Sequence, residues 1–235
     1  MNATLSVIML DRVLLPGIRL CLPMQHISHL DLIRDCQRNG ITFGCCLQQR
    51  TLGEHLPMLP VPVGTEALIR DFGTMPDGTL SFSLIGGRRF RVRRTLLSDQ
   101  SVFTTAVDWL PPEPDDRLLE DHLLFGYVLQ TLSEPEPDLK EPLRTEFDHA
   151  ASVSWRIIDR LDVGQSKQQD LLEIVNPHER LTALKAWYAE TMSESKAASE
   201  HAALEHAALE HAASEHAASE HAGLKHDAAI YPGPQ

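Results

Sequence analysis

The sequence lacks any run that approaches the roughly 20 consecutive apolar residues of a membrane-spanning helix. Its first residues also lack the basic stretch and the apolar block of a secretory signal peptide, so we expect a cytoplasmic protein without a membrane partner. Positive charge is scarce: 21 lysines and arginines face 33 acidic residues, and the net charge is -12. Because an acidic chain repels phosphates at long range, non-specific nucleic-acid binding is not expected.

Cysteine is rare and is not arranged for metal binding. The four cysteines, Cys21, Cys36, Cys45 and Cys46, show no CxxC spacing, so no zinc site is predicted. Cys45 and Cys46 are adjacent in a strand-like run, and their side chains are expected to point to opposite faces. We interpret the cysteines as buried free thiols.

The motifs of common enzymes are missing as well. The sequence contains no nucleophile elbow, no HExxH pair and no GxGxxG loop after a strand. Gly73 and Gly78 have the separation of a phosphate-binding loop, but Thr79 stands where that loop needs lysine, and the segment is typical of a hairpin turn. Acidic residues such as Glu113 lie in a proline-rich linker, where we expect them to be solvated. The sequence therefore predicts a protein without catalytic residues or cofactors.

What is present, up to about Leu110, is a series of strand patterns. Asp77-Gly78 and Gly86-Gly87 predict tight turns between strands. Several short strands at this spacing are typical of a compact barrel or sandwich. The predicted strands are Leu5–Leu10, Arg19–Leu22, Ile41–Leu47, Val61–Phe72, Leu80–Ile85, Phe90–Leu96 and Val102–Leu110.

Helical patterns interrupt and then follow the strands. A first helix is predicted from a cap at Ser28 to a stop at Asn39-Gly40. The last helix is expected to begin at Asn176, with Pro177 in its first turn. The first helix should bury Ile27, Leu30, Ile33 and Cys36, and the last should bury Leu181, Leu184 and Tyr188. Three further helices are predicted between them, at Asp116–Leu132, Glu141–Leu161 and Gln168–Val175. In the first of these three, Leu119, Leu123 and Val128 recur at helical spacing.

These patterns divide the chain into three predicted parts. Residues 1–112 are expected to form a β-rich lobe and residues 113–190 a helical lobe. Residues 191–235 carry Glu-His-Ala-Ala repeats with almost no bulky apolar side chain, so we expect a solvated or disordered tail. The repeat histidines recur every five residues, which turns an ideal helix by about 140°, so they should spread around it rather than form a metal-binding face.

Arginines cluster in one predicted strand, from Arg88 to Arg94. Strand alternation places Arg89, Arg91 and Arg93 on one face and their apolar neighbours Phe90 and Val92 on the other. Such a face is typically solvated, and it is also suited to contact an anion or an RNA backbone. Both interpretations stay open at this stage.

An apolar segment, Leu56-Pro57-Met58-Leu59-Pro60, shows neither helical nor alternating periodicity. Exposed apolar loops often mark a partner site, and methionine adapts to different partner shapes. We therefore predict that Leu56, Met58 and Leu59, together with Met24, contact polypeptide. The alternative is that the loop only covers one end of a barrel.

Several segments, in order, resemble a known family. They are Val13-Leu14-Leu15-Pro16-Gly17, Leu30–Cys36 with Phe43-Gly44, Val63-Gly64-Thr65-Glu66-Ala67-Leu68-Ile69, Pro76-Asp77-Gly78, and Gly87–Val92. Together they are similar to the substrate-binding N-terminal domain of Lon protease, in the form found as a separate bacterial protein. The likeness is close over about residues 5 to 110 and looser to about residue 190. One departure is that Gln25-His26 replaces the Phe-Glu pair usual before the first helix.

The resemblance implies an α+β fold, in which a small PUA-like β-barrel or pseudobarrel precedes a C-terminal helical bundle. It also implies that the protein binds unfolded or partly folded polypeptides as a substrate-binding or adaptor module, in partnership with a protease or chaperone, without ATPase or protease activity. Two alternatives remain: an RNA-binding PUA-like protein that uses the Arg88–Arg94 strand, and a binder of small ligands in a cleft between the lobes.

Overall fold

Alternating apolar and polar residues build a mixed sheet in the first half of the chain. A computed structural model describes residues 2–23, 27–49, 59–93, 102–132, 147–161 and 163–193. Within these residues the sheet has six strands. They are β1 (Asn2–Leu10), β2 (Arg19–Pro23), β3 (Phe43–Gln49), β4 (Leu59–Thr74), β5 (Leu80–Val92) and β6 (Val102–Trp109).

The strands lie in the order β2-β5-β4-β3-β1-β6, and β5 pairs with β6 as well. Strands β1 and β3 run parallel, since the connection between them is long and contains the first helix, α1 (Ile27–Asn39). The other pairs are antiparallel. Strand β5 pairs with β4 along nearly its whole length, with β2 along its first part and with β6 at its end, where Phe90 lies opposite Trp109.

Two apolar clusters occupy opposite sides of these strands. The first includes Ile33 and Cys36 of α1, so that helix covers one side of the sheet. Adjacent residues divide between the clusters, as the alternation of a strand requires. The first cluster contains Ile8, Leu10, Leu14, Leu22, Phe43, Cys45, Ala67, Phe82 and Leu84; the second contains Leu5, Val7, Met9, Cys46, Phe90, Val92, Phe103 and Val107.

The prediction that Cys45 and Cys46 point to opposite faces is confirmed, because one lies in each cluster. Burial raises the pKa of Cys45 well above its ordinary value and the pKa of Cys46 to about 12, so both thiols remain protonated at neutral pH. Cys36 is also buried, whereas Cys21 is exposed on β2, contrary to the prediction.

The predicted turn at Gly86-Gly87 is wrong, because β5 continues through both glycines. A Cβ at position 86 would lie 2.0 Å from the carbonyl oxygen of Leu15, so this glycine allows the segment after β1 to approach the strand. Its backbone carbonyl accepts a hydrogen bond from the Gly17 N–H at 2.8 Å. The turn predicted at Asp77-Gly78 is confirmed, with φ of 85° at Gly78.

The second half of the described chain is helical. A short 3₁₀ turn, Glu120–His122, leads into α2 (Leu123–Leu132), and α3 (Ala150–Arg160) and α4 (Gln165–Glu173) follow. Residues 177–184 form a further helix, α5. Asn176 Oδ1 accepts hydrogen bonds from the N–H groups of His178 and Glu179, which confirms the predicted cap.

Several predicted helix boundaries and faces need correction. Helix α1 begins at Ile27, so Ser28 lies inside it, whereas the stop at Asn39-Gly40 is confirmed by φ of 61° at Gly40. Helix α2 begins at Leu123 rather than Asp116. The buried side chains near α2 include His122 and Leu129, while Leu119, Leu123 and also Tyr188 are exposed. Their helical spacing alone did not distinguish the buried face from the exposed one.

The chain divides into two units, Met1–Leu184 and Lys185–Gln235. In the second unit, residues 185–193 are helical, and the predicted repeat tail lies almost entirely outside the described residues. The boundary predicted at residue 112 stays a prediction. No helix in the described part of the chain is long and apolar enough to cross a membrane.

Candidate functional site

A groove of about 700 Å³ runs between α4 and the sheet. One wall is a face of α4, and the other is formed by β3, β4 and the residue that follows β1. The lining residues are Gln165, Ser166, Gln169, Asp170 and Glu173 on the helix, and Asp11, Leu47, Gln48, Val61 and Pro62 on the opposite side. The groove thus joins an apolar surface of the sheet to a polar, acidic helix face.

The helix wall follows from the sequence of α4. Positions 165, 169 and 173 are four residues apart, so their side chains line up along one side of the helix. Leu171 and Leu172 are buried and do not line the groove. The polar side is therefore left to face the groove.

The sheet wall lies at an irregularity of the pairing between β3 and β4. Cys46 pairs with Gly64, but two residues later Gln48 pairs with Pro60, so Leu47 is opposite three residues of β4. Such bulges bend a strand and redirect its side chains, and they are frequent beside binding sites. Here Leu47, Val61 and Pro62 line the groove instead of packing in the core.

Two glutamines tie α4 to the sheet. The Val13 N–H donates to Gln165 Oε1 at 2.7 Å, at the first residue of the helix. In the middle of the helix, Gln169 Nε2 donates to the Val63 carbonyl at 3.1 Å and to Glu173 Oε1 at 3.4 Å. Gln169 is only 5% exposed, and within the described residues its Oε1 has no hydrogen-bond partner.

Two buried arginines hold the carboxyl end of α4. Arg89, from β5, donates to the carbonyls of Leu172 at 2.8 Å and Ile174 at 2.7 Å. Arg180, from α5, donates to the carbonyls of Leu171 at 3.3 Å and Ile174 at 2.8 Å. The last carbonyls of a helix have no partners inside it and carry partial negative charge, so cations stabilise this end.

The carboxylate of Glu113 lies between the two guanidinium groups. It forms an ion pair with Arg89 at 2.9 Å and a close ion pair with Arg180. Trp155 completes the cluster: its indole N–H donates to Glu113 at 3.0 Å, and the Arg180 guanidinium lies 3.4 Å from the ring centroid. We call these four residues the arginine cluster. The prediction that Glu113 is a solvated linker residue is wrong.

Burial changes the acidity of both guanidinium groups. Desolvation lowers the pKa of Arg180 to about 10, against the opposing effect of Glu113, and it also lowers the pKa of Arg89. A pKa of about 10 still leaves Arg180 charged at neutral pH. The arginine cluster is therefore an ionic link that joins β5, the linker, α3 and α5 to the end of α4.

The predicted arginine face is divided in the structure. Arg89 is only 4% exposed and is committed to the arginine cluster, so the expectation of three arginines on one open face is corrected. Arg93 forms an exposed pair with Asp108 at 2.6 Å, and Arg91 is exposed. The predicted burial of Phe90 and Val92 is confirmed.

The residues predicted to contact polypeptide lie mostly outside the described residues. This applies to Met24, Leu56 and Met58, and also to Gln25-His26. Leu59 is described only as the first residue of β4, and Pro60 beside it is buried, so these two positions belong to a strand rather than a loop. Along the chain they lead directly to Val61 and Pro62 in the groove wall.

The groove itself was missed by sequence reasoning. Gln165, Gln169 and Glu173 are polar and four residues apart, a pattern that indicates a helix face outside the hydrophobic core. Nothing local indicates that this side faces the bulge of β4, because residues 63 and 169 are far apart in sequence and meet only in the fold. The groove offers hydrogen-bond acceptors and negative charge beside an apolar surface, and these groups can hold a ligand.

The described residues contain no group of three side chains suited to bind a metal ion.

The model of the ATP-dependent protease La (LON) substrate-binding domain matches residues 4–186, which include the sheet, the arginine cluster and the groove. The chain belongs to this family. No curated protein matches the sequence.

Solved structures of the same kind share the fold. A Lon N-terminal domain protein from Xanthomonas campestris is 36% identical, with a TM-score of 0.64, over 79% of this chain and 98% of that one. The N-terminal domain of the Mycobacterium avium complex Lon protease is 15% identical, with a TM-score of 0.55, over 80% of this chain and 98% of that one. The latter likeness is one of fold alone. The chain thus has the mixed α+β fold of Lon N-terminal domains, as the sequence resemblance implied.

Proposed function

We propose that the protein is a non-catalytic module that binds unfolded or partly folded polypeptides. The observation that carries this proposal is the match of the substrate-binding family over residues 4–186. The groove adds physical support, because its volume of about 700 Å³ lies in the range of ligand-binding clefts. Its apolar wall and polar rim also resemble the composition of protein interfaces.

The proposal includes the absence of ATPase and protease activity. The family that matches is the one that recognises substrate, and the sequence has no motif for phosphate binding or peptide hydrolysis. The segment from Gly73 to Gly78, which has the glycine spacing of a phosphate loop, lies at the turn between β4 and β5. A protease or chaperone that supplies ATP-dependent work in the cytoplasm is the partner we expect.

The proposed architecture is a PUA-like pseudobarrel of residues 1–112, a helical bundle of residues 113–190 and a solvated tail of residues 191–235. The pairing of β5 with β4 and also with β6 supports the closed form of the sheet.

The RNA-binding alternative needs Arg89, Arg91 and Arg93 on one open face, and the burial of Arg89 argues against it.

The contact surface is tested by changing Met58 and Leu59 together to Ser. If they contact polypeptide, as we propose, the variant should capture a denatured client protein more weakly. Its stability to urea should remain within about 1 kcal/mol of the parent, as for most surface changes. Capture at the parent level would place the contact surface elsewhere, and a large loss of stability would show that these side chains belong to the core.

A further inference from the structure

We propose that the groove beside α4 holds a lysine or arginine side chain of the bound polypeptide. This inference rests on the proposed function and specifies which polypeptides the module prefers: those with basic, unfolded segments. The shared chemistry of such segments is a cation at the end of a flexible apolar stem.

The groove side of α4 carries negative charge that no described residue neutralises in an ion pair. Asp170 and Glu173 are exposed on the groove side of α4, and neither forms an ion pair within the part of the chain that the structure describes. Asp11, on the opposite wall, lies 3.7 Å from Arg12, so its charge is already offset in part. Among the described residues, the groove therefore presents at least two carboxylates without an ion-pair partner, which a cation from a ligand could contact.

The buried amide of Gln169 lines the groove beside these carboxylates. Its Nε2 donates one hydrogen bond to the Val63 carbonyl of β4 and another to Glu173 Oε1 of α4. These two contacts fix the orientation of the amide and leave Oε1 as an acceptor that is buried and unpartnered in the described residues. Buried acceptors without a partner are uncommon, and a ligand N–H is a partner of the right kind.

The opposite wall of the groove suits the apolar stem of a basic side chain. Leu47, Val61 and Pro62 offer apolar surface a short distance from the carboxylates, across the same groove. Lysine and arginine side chains suit such a surface, because they pack their methylene stems on apolar groups and leave the charged head free. The net charge of -12 would in addition attract basic segments at long range.

The experiment compares two unstructured peptides on the full chain. One contains arginines, and the other has every arginine replaced by citrulline, which preserves the shape and removes the charge. The parent protein should bind the arginine peptide roughly fivefold to tenfold more tightly, a size consistent with exposed charge pairs. Asp170→Asn with Glu173→Gln should abolish this preference, so that the two peptides bind with equal affinity. Both substitutions keep Gln169, so its contact with Val63 is preserved.

A matched control separates the groove from the overall charge. Asp35→Asn with Asp71→Asn changes the net charge equally at exposed positions outside the groove, and it should retain the preference. Equal affinity of the parent protein for both peptides would overturn the inference but leave polypeptide binding intact. A preference that survives in the groove variant, or that the control loses equally, would also overturn it. Binding of neither peptide by the folded protein would overturn both the inference and the proposed function.

Discussion

At the scale of single residues, Gly64 shows how tightly the sheet is packed. A Cβ at this position would lie 2.4 Å from the Cys45 carbonyl oxygen, 2.5 Å from Cys46 Sγ and 2.8 Å from the Phe90 ring. The carbonyl belongs to the paired strand β3 and cannot move without disturbing that pairing. Glycine is needed here for space rather than for an unusual φ.

We expect Gly64→Ala to destabilise the protein by about 1–3 kcal/mol, as overpacking of a core does. Gly73→Ala in the same strand is the matched control, since among the described residues a Cβ there would meet only the Ser81 hydroxyl, at 3.2 Å. That change should alter stability by no more than about 0.5 kcal/mol. Urea denaturation of both variants measures the difference, and equal stabilities would contradict this account of the packing.

Residue-scale predictions from sequence succeeded where one local rule decided the outcome. Strand alternation separated Cys45 from Cys46 and Phe90 from its arginine neighbours, because the period of a strand needs no information from elsewhere. The same rule could not foresee that Arg89 is buried. A guanidinium pointing away from the apolar core is normally solvated, and here carbonyls about 85 residues further along the chain enclose it.

At the scale of elements, the arginine cluster determines where α4 lies and hence where the groove forms. A single carboxylate, that of Glu113, forms ion pairs with both Arg89 and Arg180 and so offsets their positive charge. The three residues come from β5, the linker and α5, so no local pattern in the sequence connects them. This is why the linker acid was predicted to be solvated and why the groove was not predicted.

Glu113→Gln should be strongly destabilising, because it leaves two buried guanidinium groups without a negative partner. Removal of one partner from a buried ion pair commonly costs about 3–5 kcal/mol. Arg93→Gln breaks the exposed pair with Asp108 and serves as the control, with an expected loss of stability much smaller than that of Glu113→Gln. Chemical denaturation distinguishes the two cases. A loss below about 1 kcal/mol for Glu113→Gln would mean that the cluster does not hold α4 in place.

At the scale of the whole molecule, the order of short motifs predicted the family and the α+β class, and both are confirmed. The individual motifs lie in the strands and turns of the sheet, where local sequence constrains backbone geometry. The acidic groove is a property of the assembled fold, because its two walls come from segments that are more than 100 residues apart. Sequence order was therefore sufficient for the fold, and three-dimensional contacts were needed for the groove.

We propose that this chain binds polypeptide without chemical turnover, and a titration can measure both properties. A fluorescently labelled, permanently unfolded polypeptide is titrated with the purified chain, and its anisotropy is followed without nucleotide and again with Mg²⁺ and ATP. We predict saturable binding that nucleotide does not change, with the labelled polypeptide recovered at its original mass. The claim would be contradicted if the folded protein gave no saturable binding. It would equally be contradicted by fragmentation of the polypeptide that a substitution in this chain abolishes.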